Sequence, residues 1–460
     1  MTIALQFLGA ARHVTGTKHL LTVGPTKILL DCGMVQGPRK IAEAANRNLP
    51  IAGTLVDVLV LSHAHIDHCG SIPKLVKDGF RGPIHCTEAT ADMLHLMLYD
   101  AAKIQAQDLG YLSKHGQDIE PIYDEMDVAE TLKLVRPVPY RHPFEVVPGV
   151  RCEFLDAGHI LGAAIVQLDV DHEGKQRRIV FTGDHGRKNL PILRDPDRIE
   201  RCDVLITEST YGDRLHDKEI DMRESLMRII NREQQDGGRI LIPAFSVGRT
   251  QTVVLYLGQL MAKGLIPKLP IWVDSPMSRE ATSIMARHPK LFDRETRAIL
   301  ERGENPFFFD GVRYVADMEE SKSLNAMRRG IIVSASGMLE AGRILHHLKQ
   351  SVGRKEDCLL LVGYQAQGTL GRKLLDGWER VRIYGDEYDV ACKVAFMPGF
   401  SAHADYEELL AATGHLRKTC RQVFVVHGEG PQAESYAQKL RDHGFSKVEV
   451  PQKGDRFEVV

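Results

Sequence analysis

The chain has 460 residues, 43% hydrophobic and 26% charged, proportions ordinary for a globular protein of two or three domains. A formal net charge of −2 excludes a generic, strongly basic nucleic-acid coat, although a local cationic groove and metal ions can hold phosphates on a neutral chain. Neither a membrane span nor a secretory signal is expected: no apolar run approaches the ~20 residues needed, and Met1-Thr-Ile-Ala-Leu-Gln-Phe7 has no basic stretch ahead of an apolar core.

From the N-terminus onward the pattern is apolar strand, short loop and amphipathic helix, repeated. Lys27-Ile-Leu-Leu30 ends at Asp31. The run from Leu55 to Leu61 reads as a strand covered on both faces, and it leads into His63-Ala-His65-Ile-Asp67-His68. A helix is expected next, capped by Ser71 with Pro73 in its first turn. Further on, Arg178-Ile-Val-Phe-Thr-Gly183 ends at Asp184, Asp203-Val-Leu-Ile-Thr207 at Glu208, and Gln422-Val-Phe-Val-Val426 at His427. α/β folds place their sites just past the ends of core strands, so these termini predict one site assembled by folding.

Between about residues 210 and 395 the texture changes. Three strand, glycine-loop and helix units occur there without His or Asp terminators. Arg239–Phe245 precedes Ser246-Val-Gly248-Arg249, Gly330–Val333 precedes Ser334-Ala-Ser336-Gly337, and Cys358–Val362 precedes Gly363. This reads as an α/β domain at 209–394 inserted into a first domain made of 1–208 and 395–460. The cysteines (Cys32, Cys69, Cys86, Cys152, Cys202, Cys358, Cys392, Cys420) form no CxxC pair, which predicts buried free thiols and a cytoplasmic location.

A strand followed by a loop can turn His63, His65, Asp67 and His68 toward one small volume, and zinc accepts such N and O ligands at ~2.0–2.2 Å. With 20 histidines present, chance pairs are expected, so isolated ones such as His85, His115, His142 and His172 are assigned nothing. If His159, Asp184 and His427 join the cluster, the ligands exceed what one tetrahedral zinc needs and two metals are implied. Two-metal sites suit phosphodiester hydrolysis, generating a hydroxide and clamping the attacking and leaving oxygens.

His63-Ala-His65-Ile-Asp67-His68-Cys-Gly70 resembles the HxHxDHxG motif of the metallo-β-lactamase superfamily. Asp31 in Leu-Leu-Asp-Cys-Gly33 looks like its first motif, Gly158-His159 like its third, and Phe-Thr-Gly-Asp184 like its fourth. The resemblance implies an αββα sandwich with His63, His65 and His159 on one zinc and Asp67, His68 and His427 on a second. Asp184 would bridge the two Zn2+ ions, and Asp31 would orient a ligand. Thr207-Glu208-Ser-Thr-Tyr211-Gly212, Pro398-Gly-Phe-Ser401-Ala-His403-Ala-Asp405 and Val425-Val-His427-Gly-Glu429 resemble motifs A, B and C of the β-CASP group of nucleic-acid hydrolases. Ser246-Val-Gly-Arg249, Asp274-Ser-Pro-Met277 and Ser336-Gly-Met-Leu339 look like that group's inserted domain. A histidine at motif C implies the RNA-type form, similar to bacterial and archaeal homologues of the cleavage and polyadenylation endonuclease.

Hydrolysis of a phosphodiester leaves a ribose oxygen that needs a proton. His403 lies outside the seven-ligand set and has a suitable ordinary pKa, so it is the candidate general acid, with Glu208 as the carboxylate that fixes its tautomer. Asp405 and Glu408 can cap the following helix in capping-box fashion, leaving His403 for other work. Asp67 and Asp31 complete the catalytic candidates. Ser246, Gly248, Arg249, Ser336 and Gly337 are candidate RNA contacts, because exposed amides at helix starts bind phosphates and Arg249 can add a charged fork.

The leading expectation is a two-zinc ribonuclease acting on RNA, with no membrane association. A zinc hydrolase of small esters, thioesters or lactams is one alternative; such an enzyme needs neither the long insertion nor His403. A non-catalytic RNA-binding protein is another, against which stands a complete ligand set. Endo- or exonucleolytic mode, target RNA and oligomeric state are left open, a homodimer being one option. No further RNA-binding module is expected beyond this core.

Overall fold

The computed structural model describes residues 2–113, 120–172, 174–216, 221–363, 365–366 and 368–459, without the side chains of 108–113, 172 and 398. His115 and the His172 side chain therefore lie outside the described residues. Two compact units result, Met1–Leu215 with Ala402–Val460, and His216–Ser401. Their joins fall beyond the texture changes at 208 and 394. Backbone pairing accounts for this at the first join: Ser209 N donates to the His427 carbonyl at 3.3 Å, and Tyr211 bridges to Asp405, so residues just past Glu208 stay with the first unit.

The first unit is a sandwich of two seven-stranded sheets among the described residues. One sheet runs in the order Arg456–Glu458, Ile3–Gly9, Lys18–Val23, Thr26–Leu30, Val58–Val60, Ile84–Thr87, Val135–Val138. The other runs Val448–Glu449, Gln422–Val425, Val204–Thr207, Lys175–Phe181, Ala164–His172, Val150–Asp156, Phe144–Val147. Their inner faces share one apolar core, including Leu5, Phe7, Ile28, Val60, Phe154, Val166, Ile179, Phe181, Ile206 and Phe424. The outer face of the second sheet is covered by helices Tyr406–Thr413 and Gly430–Asp442, through Leu409, Ala433, Tyr436 and Leu440. This is the αββα layering that the resemblance implied, with helices burying one face of each sheet and sheets burying each other.

Three local readings change. The expected strand Leu55–Leu61 contracts to Val58–Val60, because Gly53–Leu55 forms a 3-10 turn and Asp57 clasps the Lys27 backbone, its carboxylate accepting Lys27 N at 2.8 Å. The expected helix after the histidines splits into Ile66–Cys69, which begins inside the histidine run, and Ile72–Lys77. Ser71 does not cap that second helix: its hydroxyl donates to the Gly33 carbonyl at 2.9 Å. Finally, Ser334–Gly337 does not open a helix directly. The next one starts at Ile344, after a loop closed by Ser336 Oγ, which accepts from the amides of Glu340 (3.1 Å) and Ala341 (3.2 Å).

The second unit is built on a six-stranded sheet of parallel strands, in the order Val312–Tyr314, Ile271–Val273, Gly330–Ser334, Arg239–Pro243, Cys358–Val362, Lys393–Met397. Both faces are buried, by clusters around Val253, Leu257 and Leu360 on one side and Ile344, Leu348 and Leu361 on the other. From Arg239–Pro243 the chain leaves toward Ile271–Val273, whereas from the adjacent Cys358–Val362 it leaves in the opposite direction, toward Lys393–Met397. Neighbouring strands with divergent exits create a crevice at their carboxyl ends.

The histidine run is clamped by backbone. Cys32 N donates to the His68 carbonyl at 2.8 Å, Met34 N to that of Ile66 at 2.9 Å, and Thr17 N to that of Asp67 at 2.9 Å. Gly33 permits this approach, since a Cβ there would lie 1.6 Å from the Asp67 oxygen. Gly33→Ala is therefore expected to cost ~2 kcal/mol or more, as read by thermal melting of the purified protein.

Candidate metal centre

Each ligand candidate arrives from the carboxyl end of a strand or the loop just beyond it. Asp31 follows Thr26–Leu30, the histidine run follows Val58–Val60, Asp184 follows Lys175–Phe181, and His427 follows Gln422–Val425. Asp31 (φ +58°) and His427 (φ +50°) hold left-handed backbone conformations unusual for non-glycine residues. Such conformations persist where surrounding contacts over-determine them, and they cluster at functional sites.

The side chains form two adjoining groups, His63, His65, His159 and Asp184 in one, and Asp67, His68 and His427 in the other, with ligand atoms of each group within 4.8 Å. His65 Nδ1 lies 3.1 Å from His63 Nε2 and 3.3 Å from His159 Nε2. His68 Nε2 lies 3.1 Å from His427 Nε2 and 3.2 Å from Asp184 Oδ1. Asp184 Oδ2 stands 3.5 Å from His63 Nε2 and 3.6 Å from His159 Nε2, so its two oxygens face different groups.

Burial depresses the His63 imidazole pKa to about 3 and that of His65 to about 4, and it holds His159 well below the ordinary value. Neutral rings with nitrogens facing one another cannot satisfy each other by proton sharing, because each pair needs one donor and these three nitrogens converge. Converging lone pairs beside a buried carboxylate are the donor set a divalent cation completes. The residues fit zinc, whose ligands are imidazole nitrogen and carboxylate oxygen.

Burial also disfavours the charged His68 ring, but Asp184 and Asp67 more than offset it and raise its pKa well above the ordinary value.

Asp31 is fully buried and touches no converging nitrogen. Its Oδ1 accepts Ser62 N at 2.7 Å, and its Oδ2 accepts both Ser62 Oγ and the Nδ1 side of His68 at 2.7 Å. Ser62 Oγ in turn lies 3.0 Å from His63 Nδ1. One carboxylate therefore aims the Nε2 atoms of two histidines. Ser62 escaped the sequence reading, as did Thr210, whose hydroxyl lies 3.1 Å from His427 Nδ1. Adjacency to His63 was the signal for Ser62; for Thr210 only folding supplies one.

His403 Nδ1 lies 3.1 Å from Glu208 Oε2 and 4.0 Å from Asp184 Oδ2. Burial lowers its pKa, but the Glu208 carboxylate outweighs that, and the net position is up at about 9. Glu208 is buried and held by His185 N at 2.6 Å and Thr210 N at 3.3 Å. The capping box between Asp405 and Glu408 is present, at 2.9 and 3.0 Å.

The candidate RNA contacts lie in the second unit. Gly248 (φ +81°) starts the helix Arg249–Ala262. The Ser246 hydroxyl is buried 3.2 Å from that of Ser275, and Ser336 closes its own loop. The Arg249 guanidinium lies over the Phe245 ring at 4.8 Å and reaches the Phe400 carbonyl at 3.4 Å. Gly337 abuts the same ring, a Cβ there standing 3.2 Å away.

Residues 20–233 match the metallo-beta-lactamase superfamily, residues 250–374 the Beta-Casp domain, and residues 387–451 the Zn-dependent metallo-hydrolase RNA specificity domain. The chain is 37% identical over 426 residues to "Ribonuclease TTHA0252" of Thermus thermophilus, covering 92% of each chain. It is 33% identical over 460 residues to "Transcription termination factor FttA" of Cenarchaeum symbiosum, covering 95% of this chain and 68% of that protein. The FttA of Methanocaldococcus jannaschii is 30% identical over 468 residues, with coverage of 99% and 72%. A crystal structure of a protein of unknown function from Enterococcus faecalis shares the fold, with a TM-score of 0.55 at 13% identity and both chains fully covered.

Asp184 and Asp67 favour the charged His68 ring, so zinc taken up at that nitrogen would release a proton, and apparent affinity is expected to rise with pH. Calorimetry in two buffers of different ionisation enthalpy would detect the released proton; buffer-independent heats would contradict it. Asp31→Ala is expected to weaken zinc binding ~10–100-fold, measured by competition with a chromogenic chelator.

Proposed function

The chain belongs to the Beta-Casp group of the metallo-β-lactamase superfamily of zinc-dependent metallo-hydrolases, and we propose that it hydrolyses RNA phosphodiester bonds with two zinc ions per chain. The observation that carries this reading is the His403–Glu208 pair: His403 Nδ1 meets Glu208 Oε2 at 3.1 Å and stands 4.0 Å from Asp184 Oδ2, so the ring that would donate from Nε2 lies beside the ligand groups. The family's RNA specificity segment over residues 387–451 and the ribonuclease named among the relatives support RNA as the substrate.

His63, His65 and His159 would hold one zinc, Asp67, His68 and His427 the other, with Asp184 shared. Bound there, zinc supplies Lewis-acid polarisation of phosphoryl oxygen and acidifies water near neutral pH. Asp67, whose side chain is 18% exposed against 2% for Asp184, is the carboxylate best placed to orient attacking water. Asp31 acts through Ser62 and His68 and is a positioning residue.

His403 presents Nδ1 to Glu208, which fixes the tautomer and keeps the ring protonated. The proton on Nε2 is then available to the departing ribose oxygen. In the second unit, Ser246, Gly248, Arg249, Ser336 and Gly337 are the RNA contacts we propose, Gly248 standing at the start of the helix Arg249–Ala262, where exposed amides suit a phosphate. The described residues contain no helix long and apolar enough to cross a membrane. Eight free, buried cysteines fit the cytoplasmic setting we propose.

Purified protein should cut labelled RNA, lose that activity in chelator, regain it with zinc, and leave a panel of simple esters untouched. His403→Ala is expected to lower kcat ~10²–10⁴-fold with zinc content unchanged; full activity in that variant would remove the proton-donor assignment. Glu208→Gln removes the charge that raises the His403 pKa. The acid form exists only below that pKa, so the alkaline fall in the pH–rate profile should move to lower pH, and an unmoved profile would separate Glu208 from the proton step.

A further inference from the structure

We propose that Phe245 is a stacking platform for an unpaired base of single-stranded RNA, an inference that rests on the RNA-hydrolase reading above and adds a base-binding subsite in the second unit.

Phe245 sits two residues beyond the strand Arg239–Pro243, at the crevice where that strand and Cys358–Val362 send the chain in opposite directions. Open parallel sheets bind ligands at such divergence points. Single exposed apolar side chains are ordinary on protein surfaces. Phe245 differs in being 40% exposed and also rigidly held. Its carbonyl accepts Thr250 Oγ1 at 2.8 Å and Thr250 N at 3.2 Å, which fixes the backbone. The missing side chain of Gly337 lets that loop abut the ring, where a Cβ would come within 3.2 Å. The Arg249 guanidinium lies 4.8 Å from the ring centroid, packed against Gly363 and reaching the Phe400 carbonyl.

The ring is thus pinned before any ligand arrives, so little side-chain entropy remains to be lost on stacking. A nucleobase matches it chemically: it is flat, its π-face stacks on an aromatic ring in a sequence-tolerant way, and the neighbouring guanidinium adds a favourable charge. On this reading Arg249 serves the site by holding the ring.

The test compares Phe245→Ala, Phe245→Leu and Phe245→Trp in the full-length zinc-loaded protein. Binding of labelled single-stranded RNA is read by fluorescence anisotropy, KM and kcat by cleavage, and folding by thermal melting. Phe245→Ala is expected to raise Kd and KM about ten-fold or more while kcat stays within about two-fold, Phe245→Trp to behave as wild type, and Phe245→Leu to resemble Ala. Oligonucleotides with one abasic nucleotide moved along the chain should bind wild type about ten-fold more weakly at one position, and that penalty should vanish in Phe245→Ala. Unchanged binding by Phe245→Ala, full rescue by Phe245→Leu, or an equal abasic penalty in both proteins would overturn the platform. If Phe245→Ala proves unfolded, the Leu–Trp comparison decides. A wild type that binds RNA but never cuts it sinks the hydrolase reading alone, because the abasic comparison still reads stacking.

Discussion

Two of the candidate ligand histidines, His63 and His68, take their orientation from the buried Asp31 carboxylate. It accepts Ser62 N, Ser62 Oγ and His68 Nδ1, each at 2.7 Å, and through Ser62 it also sets the His63 ring. A buried carboxylate satisfied three ways is costly to disturb, since breaking any partner leaves charge without compensation. That cost keeps two imidazoles in one tautomer and one orientation. The left-handed turn at Asp31 and the close approach at Gly33 are the backbone conditions for it.

The assembled ligands are poor company for one another without a cation. His63, His65 and His159 are held neutral by burial, their nitrogens facing at 3.1 and 3.3 Å, beside a carboxylate that needs positive charge. The fold gathers them because the sandwich core, running from Leu5 and Phe7 through Val60 and Ile179 to Phe424, fixes the strands whose ends carry them. Hydrophobic burial thus supplies the free energy that tolerates an electrostatically strained rim, and metal binding relieves that strain.

The second unit shows the same logic with other chemistry. Its parallel sheet is buried on both faces, and its polar residues turn inward on one another. Asp274 accepts from Ser321, from Arg343 at 2.7 Å and from His347 at 2.6 Å. Ser334 Oγ donates to the Asp274 carbonyl at 2.7 Å, which ties the end of Gly330–Ser334 to the residue just past Ile271–Val273.

Much of this was legible in the chain. The strand-end rule found Asp31, the histidine run, Asp184, Glu208 and His427, because burial on both faces forces unbroken apolar runs that stop abruptly at polar residues. The strands Ile271–Val273 and Val312–Tyr314 escaped notice, since three residues carry no periodicity to read. Ser71 shows the limit of local rules: it occupies a cap position, yet its hydroxyl goes to Gly33, a partner brought in by another loop. Sequence alone determined which side chains could bind metal and which could donate a proton. Only tertiary structure decided that Ser62 links Asp31 to His63, that Thr210 meets His427 across 217 positions, and that the expected partners Glu208 and His403 stand 3.1 Å apart. Those are contacts between separate loops, and their distances follow from how the sheets pack, which no spacing along the chain encodes.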